Sequence, residues 1–203
     1  MANSAKTDNP PTGVGLLGLG VVGSAVANAI SQRHRSIDPA LSLNVVAAVV
    51  RDPSRKRDVT IDSSTVSTNL ETVIANPEVG IVVELMGGVD PAFSYITSSL
   101  NAGQHVVTAN KEVMAKYGSQ LLATAAENNV CLYYEASVAG GIPIIGPLMN
   151  DLTANKIQSV RGIINGTTNF ILTKMANEGA DFDDVLAEAQ ALGYAESDPT
   201  ADV

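Results

Sequence analysis

The chain has 203 residues, with 12 Lys and Arg against 21 Asp and Glu for a formal net charge of −9, and 45% of its residues are hydrophobic and 16% charged. This is an ordinary globular composition rather than a disordered one, and an acidic surface of that size repels nucleic-acid phosphates and anionic lipid alike. A single cysteine, Cys131, cannot form an internal disulfide, no basic and apolar leader opens the chain and no apolar run reaches the roughly 18 residues of a membrane span, so a reducing cytoplasm is the expected compartment.

Residues 1–12 (MANSAKTDNPPT) are polar, contain two prolines and lack periodicity, which predicts a disordered leader. From Gly13 apolar runs alternate with helical patterns. In order they are VGLL, a glycine-rich turn, VVGSAVANAISQ, NVVAAVV, IVVELM, PAFSYITSSLNAG, HVVTA, KEVMAKYGSQLLATAAENN and VCLYYEASV. Near-continuous Val, Ile and Leu strands separated by helices are what a parallel sheet covered on both faces requires. The expected fold is therefore α/β, a doubly wound Rossmann-type parallel sheet. With aromatics at 4% and no Trp, its core must be aliphatic.

Beyond Val138 the texture changes. AGGIP is followed by a helical IIGPLMNDLTAN, a strand-like KIQSVRGIIN and two short helices around TTNFILTKMAN and DFDDVLAEAQALG. This pattern predicts a dinucleotide-binding domain over 13–145 and the beginning of an α+β substrate and dimerisation domain over 146–203. No amphipathic element closes the second domain, which therefore reads as partial.

Gly18-Leu19-Gly20-Val21-Val22-Gly23 lies between the first strand and the first helix. In that setting Gly18 permits the tight turn, Gly20 lets backbone approach a pyrophosphate, and Gly23 lets helix and strand pack closely. The N–H groups of Val21 and Val22 open the helix and face the anion. After the second strand the chain offers both Arg51 and Asp52, and an acid at this place favours NAD while a base favours the 2′-phosphate of NADP. Arg55, Lys56 and Arg57 follow, so four basic residues crowd into 51–57 of an acidic protein. That local inversion of charge suits a phosphate, and it equally describes a solvated basic loop.

Three further stretches carry a likeness: Glu84-Leu85-Met86-Gly87-Gly88, Val106-Val107-Thr108-Ala109-Asn110-Lys111, and Glu135-Ala136-Ser137-Val138-Ala139-Gly140-Gly141-Ile142-Pro143. With Gly162-Ile163-Ile164-Asn165-Gly166-Thr167-Thr168-Asn169 and the final run 192–203 (LGYAESDPTADV), they resemble homoserine dehydrogenase in order and spacing. The resemblance implies NAD(P)-dependent interconversion of L-homoserine and L-aspartate 4-semialdehyde, and the basic run from Arg51 to Arg57 predicts NADP as the preferred cofactor. It places Lys111 beside nicotinamide and substrate as the catalytic residue, able to stabilise charge on the reacting oxygen or to move a proton. It assigns Gly87, Gly88, Thr108, Asn110 and Lys111 to the cofactor, and Gly166, Thr167, Tyr194, Glu196 and Asp202 to the substrate. Glu135 and the carbonyls of Val138, Gly140 and Ile142 correspond to a monovalent-cation site, usually sodium, for which hard oxygen donors are suited. A homodimer formed through the complete substrate domain is also implied. The family continues past the last run with a further aspartate and a second lysine. The expectation is thus a 203-residue chain that binds NADP but turns homoserine over at no more than about a hundredth of a complete enzyme's rate.

Other readings stand beside this one. An aspartate-semialdehyde dehydrogenase needs a nucleophilic cysteine, and Cys131 lies in an apolar run with no histidine near it in sequence. A dihydrodipicolinate-type reductase would show paired histidines, whereas His34 and His105 stand far apart. A nucleotide sensor that binds cofactor without turnover remains open, because a glycine loop binds without requiring chemistry.

Overall fold

The structure, a computed structural model, describes residues 12–32, 42–195 and 199–200. The chain divides into two compact units, Met1–Leu152 and Thr153–Val203.

The first unit is built on β1 (Thr12–Leu17), α1 (Val21–Ser31), β2 (Leu43–Val49), β3 (Val66–Ser67), α2 (Glu71–Ile74), β4 (Val79–Glu84), α3 (Ala92–Asn101), β5 (His105–Thr108), α4 (Lys111–Glu127) and β6 (Leu132–Tyr133). The strands form one parallel sheet in the order β3-β2-β1-β4-β5-β6. Strand order reverses between β1 and β4, which is where a doubly wound sheet opens a ligand crevice at the carboxyl ends of its strands. The expected α/β class is what the chain adopts.

Two aliphatic cores hold the sheet from its two faces. Leu16 belongs to one and its neighbour Leu17 to the other, as the alternation of a strand demands. In β2 that alternation slips once. Val14 pairs with Val45 but Gly15 with Ala47, so Val46 is an extra residue, and both Val46 and Ala47 meet the same core. A one-residue bulge thereby restores Ala48 to one face and Val49 to the other.

Several local readings need correcting. Thr12, placed in the leader, begins β1: it pairs with Leu43, and its N–H donates to the Ser42 carbonyl at 2.8 Å. The rest of the leader lies outside the described residues. β3 gave no sequence signal, being two residues long within a polar stretch. The run VCLYYEASV yields only the two residues of β6 before a 3-10 turn at Glu135–Ser137, and the helical pattern after Pro143 becomes a short π-helix at Pro147–Asp151.

The second unit contains α5 (Gly166–Glu178) and α6 (Phe182–Ala191). Asn165 caps α5 by accepting from the Thr168 N–H at 2.8 Å, and Gly179 ends it at φ 67°. Lys174 on α5 bonds Glu188 on α6 at 2.6 Å. The strand-like run 156–165 forms no strand, because no described segment of this unit offers it a ladder partner.

Candidate active site

The glycine loop follows β1 at the strand reversal. Gly18 sits at φ 101°, a conformation few side chains tolerate, and its N–H donates to the Val49 carbonyl at 2.9 Å. A Cβ on Gly23 would stand 2.2 Å from the Gly18 carbonyl oxygen, whereas a Cβ on Gly20 would meet nothing within 4 Å. The turn is thus closed on the strand side and open on the other, where a dinucleotide phosphate would approach. α1 starts at Val21 with no side-chain cap and no acid in its first turn, so its leading N–H groups are left to an anion. Val21 and Val22 are 90% and 56% exposed, an apolar surface unusual for the first turn of a core helix.

Beside this turn lies the basic loop. Arg57 braces it: Nε donates to the Leu19 carbonyl at 3.1 Å, and the two terminal nitrogens donate to the carbonyls of Arg55 at 2.8 Å and Asp52 at 2.7 Å. The Asp52 carboxylate is taken by Ser54, whose hydroxyl donates at 2.6 Å and whose N–H donates at 2.9 Å, and these bonds hold its carboxyl below the usual aspartate range. Arg51 is exposed and makes no hydrogen bond or ion pair among the described residues.

The other half of the crevice lies at the ends of β4 and β5. Glu84 closes β4 fully buried, accepting from the Met86 N–H at 2.8 Å and from the Thr108 hydroxyl at 2.5 Å. Burial pushes its carboxyl pKa up, against the pull of those hydrogen bonds. Thr108 Oγ1 accepts from the Asn110 N–H at 3.0 Å. The Asn110 amide donates to the Gly88 carbonyl at 2.7 Å, and its oxygen accepts from the Val113 N–H at 3.1 Å, capping α4. The side chains of Thr108 and Asn110 are therefore spent on the protein itself. Gly87 and Gly88 are open, since a Cβ on either would meet nothing within 4 Å.

Lys111 begins α4, exposed, directly after this network. It stands at the edge of a cleft of about 460 Å³ shared with Met114, Gly118, Leu122, Tyr134 and Val138. Nearby, the Glu135 carboxylate accepts three backbone N–H bonds, from Ile144 at 2.6 Å, Ile145 at 2.9 Å and Gly146 at 2.7 Å, which lower its pKa. Glu135 is thus already employed in holding the following turn. The carbonyls of Val138, Gly140 and Ile142 accept no hydrogen bond among the described residues, while Ala139 and Gly140 turn through positive φ at 57° and 59°. These oxygens are the donors that fit a cation.

In the second unit, Gly166 begins α5 and the Thr167 hydroxyl donates to the Tyr194 carbonyl at 2.5 Å. Two expected substrate residues are therefore joined, and the Tyr194 ring packs on Phe170 at 5.2 Å. Glu196 and Asp202 lie outside the described residues.

Two residues of this site escaped sequence reasoning. Glu84 lies in the Glu84–Gly88 motif, and an acid ending a Val-rich buried strand is the signal that marks it. Arg57 was counted only as one charge of a cluster, and a brace formed from three backbone carbonyls leaves no trace in sequence.

The strand order, the glycine turn and the crevice at the reversal define a dinucleotide-binding domain of the NAD(P) type. The family model for the homoserine dehydrogenase NAD-binding domain matches residues 18–135, more than half of the chain, and that for homoserine dehydrogenase itself matches 143–203. The chain belongs to the homoserine dehydrogenase family. It is 49% identical to a Synechocystis homoserine dehydrogenase over 191 residues, covering 94% of this chain and 44% of that protein. Among solved structures, it resembles a homoserine dehydrogenase from Thiobacillus denitrificans (45% identity, TM-score 0.84), covering 96% of this chain and 45% of that one. A hyperthermophilic archaeal homoserine dehydrogenase in complex with NADPH matches at 29% identity and TM-score 0.80, over 96% and 65% of the two chains. The chain thus spans less than half the length of the Synechocystis relative. The two family models meet between residues 135 and 143, and the compact units divide after Leu152.

Proposed function

We propose that this chain supplies the cofactor-binding part, and the beginning of the substrate part, of a homoserine dehydrogenase that interconverts L-homoserine and L-aspartate 4-semialdehyde with NADP as the preferred cofactor. The observation that carries the reading is the gathering of the glycine turn, Gly87, Gly88 and Lys111 at the carboxyl ends of β1, β4 and β5. In this reading residues 13–145 bind the cofactor and 146–203 begin the substrate domain, through which a cytoplasmic homodimer forms.

Each residue's part follows from its chemistry. The open face at Gly20 and the uncapped N–H groups at Val21 and Val22 receive the pyrophosphate. Arg51 takes the 2′-phosphate. Arg51 has no ion-pair partner among the described residues, and the competing acid Asp52 is held by Ser54, which supports the NADP reading. When bound, the nicotinamide accepts or gives the hydride. As an ammonium Lys111 stabilises negative charge on the substrate oxygen and gives that oxygen a proton when the aldehyde is reduced, and the amine left behind takes the proton back when homoserine is oxidised. Gly166, Thr167, Tyr194, Glu196 and Asp202 are assigned to the substrate's ammonium and hydroxyl, groups that carboxylates and carbonyls accept from. The carbonyls of Val138, Gly140 and Ile142 hold a monovalent cation such as sodium, with Glu135 fixing the turn that presents them.

The test is direct titration with NADPH and NADH, followed by homoserine-dependent formation of the reduced cofactor. Arg51→Ala should weaken NADPH by about tenfold or more and leave NADH nearly unchanged, since one charge-assisted phosphate contact is lost. Equal weakening of both would remove the 2′-phosphate role. In an active assembly Lys111→Ala should lower kcat by at least about a hundredfold with little change in cofactor affinity. Near-normal turnover would return Lys111 to an ordinary surface lysine.

A further inference from the structure

Glu84 is the buried ionisable group that the proposed chemistry does not use. It is closed off from solvent, and among the described residues no cation stands beside it, only the Met86 N–H, the Thr108 hydroxyl and the Asn110 amide. A carboxylate kept in such a place without a counterion is costly, so its retention calls for a reason. Its two oxygens face different loops. One receives the N–H that opens the turn carrying Gly87 and Gly88, and the other receives the hydroxyl of Thr108, whose oxygen in turn accepts the N–H of Asn110. Asn110 closes the circuit by donating to the Gly88 carbonyl and capping the helix that Lys111 begins. A neutral side chain of the same shape cannot accept on both sides, because an amide presents one acceptor and one donor.

We infer that Glu84 is the positioning residue of the nicotinamide half of the crevice, a carboxylate that ties the turn after β4 to the start of α4 and so fixes where Gly88 and Lys111 stand. The inference rests on the dinucleotide reading above. In a doubly wound sheet the second mononucleotide half lies over β4 and β5, so Glu84 governs that half and leaves the adenosine half, held by the glycine turn and the basic loop, untouched.

The experiment compares two ligands on the purified chain: NADPH, and 2′,5′-ADP, which carries the adenosine half alone. Wild-type protein binds both. Glu84→Gln should weaken NADPH by about tenfold and leave 2′,5′-ADP within about twofold, the loss expected for a broken hydrogen bond to a charged group. Thr108→Val should do the same, the double variant should be no weaker than either single one, and Thr108→Ser should recover most of the NADPH affinity because it restores the hydroxyl. Melting curves recorded alongside show that each variant is folded. Equal weakening of both ligands, unchanged NADPH binding in Glu84→Gln, or Thr108→Ser behaving like Thr108→Val would each overturn the positioning role. Absence of NADPH binding by the wild-type chain would instead overturn the dinucleotide reading, and this inference with it.

Discussion

Leu16 and Leu17 in the first unit are adjacent, point to opposite faces of the sheet and are both fully buried. Ile163 and Ile164 in the second unit are also adjacent and equally apolar, yet they are 74% and 100% exposed. The difference lies not in residue type but in what surrounds each pair. β1 has a hydrogen-bonded strand on each side and an aliphatic core on each face, whereas the run 156–165 has no ladder partner among the described residues. Apolar patterning specifies that a segment will be buried only when the covering surface belongs to the same folded unit.

The largest expected effect tests the first half of that contrast. Leu16→Ala removes a fully buried side chain from a close-packed core and should destabilise the first unit by about 2–5 kcal/mol, read as a shift of the denaturant midpoint. Gly23→Ala acts by another route, since its methyl would stand 2.2 Å from the Gly18 carbonyl oxygen and force helix and strand apart. It should weaken NADPH binding together with stability. A Gly162→Ala variant, whose methyl meets nothing within 4 Å, is the matched control in the second unit. A comparable loss from Gly162→Ala would break the comparison.

A smaller effect concerns Glu84, the one buried acid among the described residues of the first unit. Burial raises the Glu84 pKa, and the groups that face it, the Met86 N–H, the Thr108 hydroxyl and the Asn110 amide, bring no charge of either sign. A raised carboxyl pKa means that the folded state holds the proton more tightly than the unfolded chain. Its contribution is therefore fully present below the ordinary glutamate value of 4.5 and is lost as pH rises through the folded value. Glu84→Gln cannot titrate. The stability of that variant relative to wild type should thus improve as pH rises above 4.5 and level off once the folded-state pKa is passed, followed by denaturant melts at each pH. A flat difference would show that the carboxylate is compensated after all.

How far the sequence could be read follows the same division. The alternation of aliphatic strands and amphipathic helices was plain because β1, β2, β4 and β5 are long and find their partners within the first unit. β3 was invisible since two residues carry no alternation, and the Val46 bulge was invisible since it changes facing without changing composition. At the site, Gly18, Gly20, Gly23 and Lys111 announced themselves through motif and position. Arg57 and Glu84 did not, because their roles depend on atoms distant in sequence: the Leu19 carbonyl 38 residues before Arg57, and the Thr108 hydroxyl 24 residues after Glu84. The strand expected over 156–165 was misread for the converse reason. Ile157, Val160, Ile163 and Ile164 supply the propensity of a strand, but propensity alone cannot supply the neighbouring backbone that a ladder requires.

The smallest effect on stability, and the sharpest test of the second half of the contrast, belongs to that same run. Ile164 is wholly exposed, so replacing it by serine removes no packing and should change stability by less than about 0.5 kcal/mol. Its influence should appear instead in association. A segment with no ladder partner among the described residues, carrying exposed Ile157, Val160, Ile163 and Ile164, is a template on which another chain can pair, and apolar exposure favours that contact in water. The purified chain should therefore show concentration-dependent association in sedimentation velocity, and Ile164→Ser should reduce it, more so when combined with Ile163→Ser. NADPH affinity should stay constant in both variants, because no cofactor residue is touched. If Ile164→Ser destabilised the protein by as much as Leu16→Ala does, Ile164 would have to be buried in solution, and the contrast between the two units would disappear.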